Sequence, residues 1–335
     1  MKKSLKIHHI KGRLTPLSWL RMMFLSLLLS SCQKNKYQWQ PGISAPKYYP
    51  VAGSISFENA GHGSNTSFAN GWGNEYGGVV SGKKYKEIPK EVFINYYSVV
   101  DGKDFRGKVL LDQKKILNLF QKYNINDDKF AHLVVGMAPG GWIRVWFTTV
   151  DQQIEVAKAK LKGYINNDVG VGLKTKDFKT WGGTYTYWQY HGIPYEAWAN
   201  NEKEYDIIFD FDKPNHRKVN FGYVSKDGTV YEAPAEKSHQ KLPVEIEICW
   251  LNKAKESYCC KIPMPKSLQK IVEQNKLKEV YITLKIENDE EHAILYLISN
   301  NENIKLVRFK NKKPTIEEKK EIDYGYASEV EYFIP

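Results

Sequence analysis

Gly61-His62-Gly63-Ser64-Asn65 sets an imidazole beside a hydroxyl, the two groups that an acyl-transfer site needs. Close neighbours in sequence rarely face each other, and no acid is placed to orient the ring. The stretch therefore reads as a histidine on a flexible loop. Asp210-Phe211-Asp212 puts two carboxylates on one face of a strand, where they could hold a hard cation or act as an acid–base pair. No further oxygen ligands follow, and Lys213-Pro214 suits an ordinary strand end. His191, His216, His239 and His292 lack zinc-site spacing. The chain has no Gly-x-Ser-x-Gly elbow and no glycine-rich phosphate loop. No catalytic residue, metal or cofactor is expected. Cys249, Cys259 and Cys260 are badly spaced for a metal site. A hairpin of residues 244–251 and 257–262 would bring Cys249 near Cys259 or Cys260, either as a disulfide or as buried thiols.

Trp181, Tyr185, Tyr187, Trp188, Tyr190, Tyr195 and Trp198 crowd one short segment, broken by Gly182, Gly183, Gly192 and Pro194. Such rings join a large apolar area to a polar tip, which suits partner interfaces and sugar platforms. The same rings could instead seal a joint between two folded units.

Cys32 offers a different chemistry. It closes Leu29-Ser30-Ser31-Cys32, a branched apolar residue, two small residues and a cysteine. That order matches a lipobox, in which the thiol receives diacylglycerol and the preceding peptide is removed. The apolar run Met22–Leu29 is too short to span a bilayer and fits the core of a secretory signal. The leader also holds six bases and no acid. Its removal lowers the formal charge from +11 to +5, with 43 bases against 38 acids. Basicity is thus a targeting feature, and nucleic-acid binding is not expected. Two or more acyl chains would hold the protein firmly to a membrane. Gln33 is not the Asp of an inner-membrane retention signal, so an outer-membrane anchor facing the periplasm is expected.

The 335 residues leave room for two domains. Alternating apolar residues predict strands at Val51–Phe57, Val92–Tyr96, Leu133–Met137 and Trp142–Phe147, the last two joined through Ala138-Pro139-Gly140-Gly141. Asp112 caps a predicted helix whose apolar face is Ile116, Leu117, Leu119, Phe120 and Tyr123. A second helix is predicted from Asp151, with Ile154, Ala157 and Leu161 on one face and Gly163 at its end.

The C-terminal part resembles a second copy. Val51, Ile55 and Phe57 fall on Tyr205, Phe209 and Phe211 at an offset of 154, and Val92 and Ile94 fall on Ile246 and Ile248 at the same offset. Ile116 falls on Leu268 at 152, and Ile143 on Ile294 at 151. A helix near Pro265 and a hairpin of Val280–Ile286 with Ala293–Ile298 complete that copy. Residues 310–322 read as an exposed loop before a last strand at Glu329–Ile334.

The expected fold is α+β: two similar, mainly antiparallel sheet-plus-helix units made by internal duplication. The expected divisions are a signal peptide at 1–31, a lipid-anchor tether at 32–46, a first unit at 47–165, an aromatic-rich connector at 166–200 and a second unit at 201–335.

Ala45-Pro46-Lys47-Tyr48-Tyr49-Pro50-Val51, Gly71-Trp72-Gly73, Pro89–Ser98 and Val135-Gly136-Met137-Ala138-Pro139-Gly140-Gly141-Trp142 carry a resemblance. Over about residues 39–165 the chain resembles the bacterial lipoprotein family called domain of unknown function 2931. The resemblance implies no activity, cofactor or catalytic residue. Some members lie beside toxin or phospholipase effectors of contractile secretion systems, which implies an immunity role for those. The expected function is a membrane-anchored, non-enzymatic module that binds a protein, such as a toxin or effector. A carbohydrate or cell-wall binding lipoprotein is the first alternative. A hydrolase with a non-contiguous site is the second.

Overall fold

The computed structural model describes residues 36–58, 60–76, 79–165, 183–211, 219–232, 237–251, 257–299 and 302–310. Cys32, Trp181, Asp212, His216 and the stretch from 311 onward lie outside them. The first half runs β1 (Lys36–Ala45), β2 (Val51–Phe57), β3 (Gly61–Phe68), β4 (Gly71–Tyr76), β5 (Val79–Ser81), β6 (Tyr85–Glu87), β7 (Glu91–Ser98) and β8 (Lys103–Leu110). Helix α1 (Gln113–Lys122) follows, then β9 (Ala131–Ala138), β10 (Trp142–Thr148), β11 (Gln153–Lys160) and β12 (Gly163–Tyr164). The connector contributes α2 (Gly183–His191) and α3 (Tyr195–Ala199). The second half holds β13 (Glu204–Phe211), β14 (Val219–Ser225), β15 (Val230–Glu232), β16 (Ser238–Lys241), β17 (Pro243–Leu251) and β18 (Ser257–Pro263). It ends with α4 (Leu268–Gln274), β19 (Glu279–Ile286), β20 (His292–Ser299) and β21 (Glu302–Lys310).

The α+β expectation is overturned. The described residues are mainly strand, arranged in four sheets with only short helices. In the first half, β11-β10-β9-β1-β4, with β6 also on β1, faces β12-β8-β7-β2-β3-β5. Their inward residues share one core: Ile43, Val135 and Val145 come from one sheet, and Ile55, Ile94 and Phe105 from the other. Each sheet is thus covered mainly by its partner sheet rather than by a helix, and α1 adds only Ile116, Leu119 and Phe120. Asp112 caps α1 as its sequence position suggests, accepting from the Lys115 backbone N–H at 2.9 Å.

The second half repeats the pairing pattern with β16-β13-β19-β20-β21 and β15-β14-β17-β18. The offset of 154 set the wrong strands together in one place. It laid β2 on β13, but β13 matches β1. Each of these runs parallel to the first strand after its helix and antiparallel to a short strand on its other side. Val92 and Ile246 do occupy equivalent places: Val92 opposes Phe57 and Val109, and Ile246 opposes Tyr223 and Ile262. Ile143 matches the buried Ala293 rather than Ile294, because each pairs with the last core residue of the preceding strand, Met137 or Ile286.

Two further expectations fail for identifiable reasons. Residues 153–160 form a strand, not a helix. A bulge between Val145 and Trp146 lets Ile154 oppose Phe147 while Ala157 opposes Val145. Both reach the core three residues apart, which imitates a helical period. The expected tether at 32–46 holds β1, a central strand with Trp39 and Ile43 fully buried. Pro41 cannot donate to a ladder, but it lies between the segment of β1 paired with β6 and the segment paired with β4.

The hairpin at 138–141 requires its glycines. Gly140 and Gly141 have φ of 75° and 83°, and a Cβ on Gly141 would meet the Leu161 carbonyl at 2.2 Å. A third core lies on the outer side of β9 and β10. Val134 and Trp146 pack there with Tyr49, Trp72, Tyr187, Trp188 and Trp198. This covering explains why β9 is buried along almost its whole length instead of alternating.

Candidate functional site

The connector is locked to both halves by polar tips. Trp198 is fully buried, and its indole N–H donates to the Asp227 carbonyl at 2.9 Å. The Trp188 indole donates to the Tyr48 carbonyl, and Tyr49 donates through its hydroxyl to the Gly192 carbonyl at 2.8 Å. Arg144, from β10, donates to the Trp198 carbonyl at 3.1 Å and also pairs with Glu155 and Asn201. Tyr195 is 39% exposed, but its hydroxyl donates to Asp101 at 2.7 Å, and Asp101 also accepts from the Gly140 N–H. Of the seven aromatic residues singled out in sequence, Tyr187, Trp188 and Trp198 therefore sit in the joint. Tyr190 is half-buried, and the Lys266 ammonium lies 5.1 Å from its ring centre. Tyr185 lies in α2.

Beside this joint lies a cleft of about 520 Å³ between the connector and the second half. Its size falls within the range of ligand sites. Tyr187 and His191 come from α2, Glu196 and Ala197 from α3, Glu202 from the turn into β13, and Tyr205 from β13. Leu242, Val244, Met264 and Leu268 supply an apolar wall.

Three polar atoms in this lining have no hydrogen-bond partner: the Tyr187 hydroxyl, the Tyr205 hydroxyl and Oε1 of Glu202. Tyr187 is 5% exposed and Tyr205 3%. Buried polar groups are almost always paired, so three orphans among the residues of one cleft leave groups there for water or a ligand to satisfy. Burial and the neighbouring Asp227 push the Glu202 carboxyl up to about 8, while Lys241 and Lys226 pull the other way. Burial, helped by Lys266, holds the His191 imidazole down to about 4. Burial also raises the Tyr187 phenol far above its ordinary range. Near neutral pH the cleft wall thus presents a protonated Glu202, a neutral His191 and a neutral Tyr187.

These shifts give a testable pH profile. Glu202 has a raised folded-state pKa, so its contribution to stability is complete below its unfolded value and fades as pH climbs to about 8. His191 has a lowered one, so its contribution is complete above about 6.5 and fades as pH falls to about 4. The two oppose each other below about pH 6.5, and only the Glu202 loss remains above it. Glu202→Gln should raise stability at about pH 8 by on the order of 2 kcal/mol and flatten the alkaline side. Urea unfolding of both proteins at about pH 6 and pH 8 reads this directly, and parallel profiles would refute it.

The other sequence candidates stay apart from the cleft, except for His191. His62 lies on β3, not on a flexible loop, with its side chain exposed opposite Ser56 and Val80. Asp210 accepts from the Tyr281 hydroxyl at 2.6 Å. His239 meets Asp206 at 3.1 Å. His292 approaches Asp289 and Glu287, but Arg308 already holds Glu287 through two bonds of 2.8 Å. Cys249 is disulfide-bonded, with Cys259 directly opposite it in the ladder, whereas Cys260 is a buried free thiol. Glu202 and Tyr205 were not recognised as site residues in sequence. Glu202 hides in the polar run Asn200–Glu204, and Tyr205 reads as one more apolar strand residue.

No curated protein and no solved structure matches the chain. One family model does, over residues 29–196, which is half of the sequence and reaches through α2 to the start of α3. It includes Tyr187 and His191 but stops before Glu202 and Tyr205. Leu29–Cys32, the hairpin with its paired glycines and the connector helix all fall inside that span, and the chain belongs to the family described as protein of unknown function DUF2931.

Proposed function

We propose that the chain is a lipoprotein anchored in the outer membrane, facing the periplasm, and that it captures a protein partner without turnover. The sequence ending in Leu29-Ser30-Ser31-Cys32 supports the anchor. The observation that carries the capture reading is the preformed cleft with three unpartnered polar atoms, built on side chains fixed by packing on both sides. Protein capture is preferred to a sugar platform because Trp188 and Trp198, two of the three indoles in the aromatic segment, are buried in the joint. A secretion-system effector is the partner class that the family resemblance suggests, and an immunity role follows from it.

Mass spectrometry of the natively expressed protein should find an acylated Cys32 at the N-terminus; a chain retaining residues 1–31 would refute the anchor. For capture, a photo-crosslinking amino acid at Gln269, exposed on the cleft rim, should give a discrete protein adduct in cells of the source organism. The same probe at Lys114, exposed on α1, should not. Equal labelling at both positions would remove the cleft from the reading.

A further inference from the structure

Beyond its partner-free hydroxyls, the cleft carries an excess of positive charge. Lys203, Lys226 and Lys266 line it, and among the described residues none has a carboxylate within ion-pair distance. The Lys203 ammonium instead lies 4.7 Å from the centre of the Tyr205 ring, and Lys266 lies over Tyr190. The acids in the lining offset them only in part. Glu196, which accepts from the Asn200 amide, is one carboxylate against three ammonium groups, and burial holds a proton on Glu202 near neutrality. A protonated carboxyl, two phenols and three ammonium groups are all able to donate. An ionised carboxylate accepts only, and it gains most from donors in a partly dry setting. The wall of Leu242, Val244, Met264 and Leu268 would take an apolar stem next to that group.

We propose that the cleft is a carboxylate-binding site that takes an acidic group on an apolar stem, presented by an acidic segment of the captured protein. Tyr187 and Tyr205 hold unpartnered hydroxyls just within the wall, which side-chain adjustment on binding would turn toward the carboxylate, and the lysines supply charge at the mouth. This rests on the capture reading and adds to it the chemistry of the captured segment. Two buried hydroxyls without partners distinguish it from an ordinary patch of surface lysines.

The experiment titrates the mature acylated protein in detergent, near neutral pH and at low salt. The probes are the peptides acetyl-Leu-Glu-Asp-Leu-amide and acetyl-Leu-Gln-Asn-Leu-amide, together with free N-acetylglutamate. The acidic peptide should bind at least about tenfold more tightly than its amide counterpart and weaken as salt is added. Tyr205→Phe should weaken it by about fivefold and Lys266→Met by about threefold, with unfolding midpoints unchanged or raised. Equal binding of the two peptides, or binding of neither, overturns the proposal. N-acetylglutamate binding as tightly as the acidic peptide overturns the peptide source and assigns the cleft to a small acid. A persistent adduct at Gln269 without acidic-peptide binding would sink the ligand chemistry alone. Loss of both would sink the capture reading as well.

Discussion

Trp198→Ala should lower folding stability by about 3–5 kcal/mol, among the largest losses any single truncation in this chain would produce. The indole has no exposed surface and packs edge-on against Tyr49 at 5.0 Å and Tyr195 at 6.0 Å between ring centres. Truncation removes its dispersion contacts, leaves a cavity at the joint and orphans the buried Asp227 carbonyl. The effect should appear in the urea midpoint of the whole chain, because the ring belongs to neither half alone. Trp198→Phe should recover part of the packing but not the hydrogen bond. A near-wild-type midpoint for the alanine variant would mean that the connector is not part of the folded core.

Asp227→Ala should cost a comparable amount, about 3–5 kcal/mol, for an electrostatic reason. Asp227 is 2% exposed and sits in the turn between β14 and β15. One carboxylate oxygen accepts from the Ser225 hydroxyl at 2.7 Å, the Thr229 N–H at 3.0 Å and the Thr229 hydroxyl at 2.7 Å. The other accepts from the Lys241 ammonium at 2.5 Å. Removing the carboxylate takes the counter-charge from a largely buried cation and the acceptor from the Thr229 N–H and hydroxyl; Lys241 and Ser225 keep only longer contacts to Thr229, at 3.1 and 3.3 Å. The same turn presents the Gly228 carbonyl to the backbone N–H groups of Lys47 and Trp72, so its collapse should loosen the contact between the halves. Asp227→Ala should also lower the Glu202 pKa, because Asp227 is one of the charges that raise it. A midpoint within error of wild type would refute the account of this network. Thr229→Val, which removes the hydroxyl donor but keeps the carboxylate, should be milder, about 1 kcal/mol.

Much of the fold was legible where local signals were strong. Asp112 and the Ile116–Phe120 face located α1, and the paired glycines located the β9–β10 turn. The misreadings have a common origin: they occur where pairing to distant strands decides the structure. Pro41 and the glutamines around it conceal β1, which is strand only because β9, β4 and β6 all pair with it. The bulge in the β10–β11 pair converts a strand's period into a helix-like one. Similar alternation in every strand allowed β2 to be laid on β13. The helix content was overestimated because a covering sheet and a covering helix leave the same apolar face on a strand. The cleft was not legible at all. Tyr187, Glu202 and Tyr205 are ordinary residues in separate elements, and their significance comes from burial without partners, which only the assembled packing reveals.

Closing the cleft tests the central claim most directly. Asn200 is exposed on the rim, outside all three cores, where a larger side chain can obstruct entry. In a chain carrying the photo-crosslinker at Gln269, Asn200→Trp should reduce the partner adduct by at least about tenfold. The unfolding midpoint, and the membrane attachment proposed for Cys32, should stay unchanged. A folded, membrane-bound Asn200→Trp protein that yields the adduct at wild-type level would contradict the assignment of capture to this cleft.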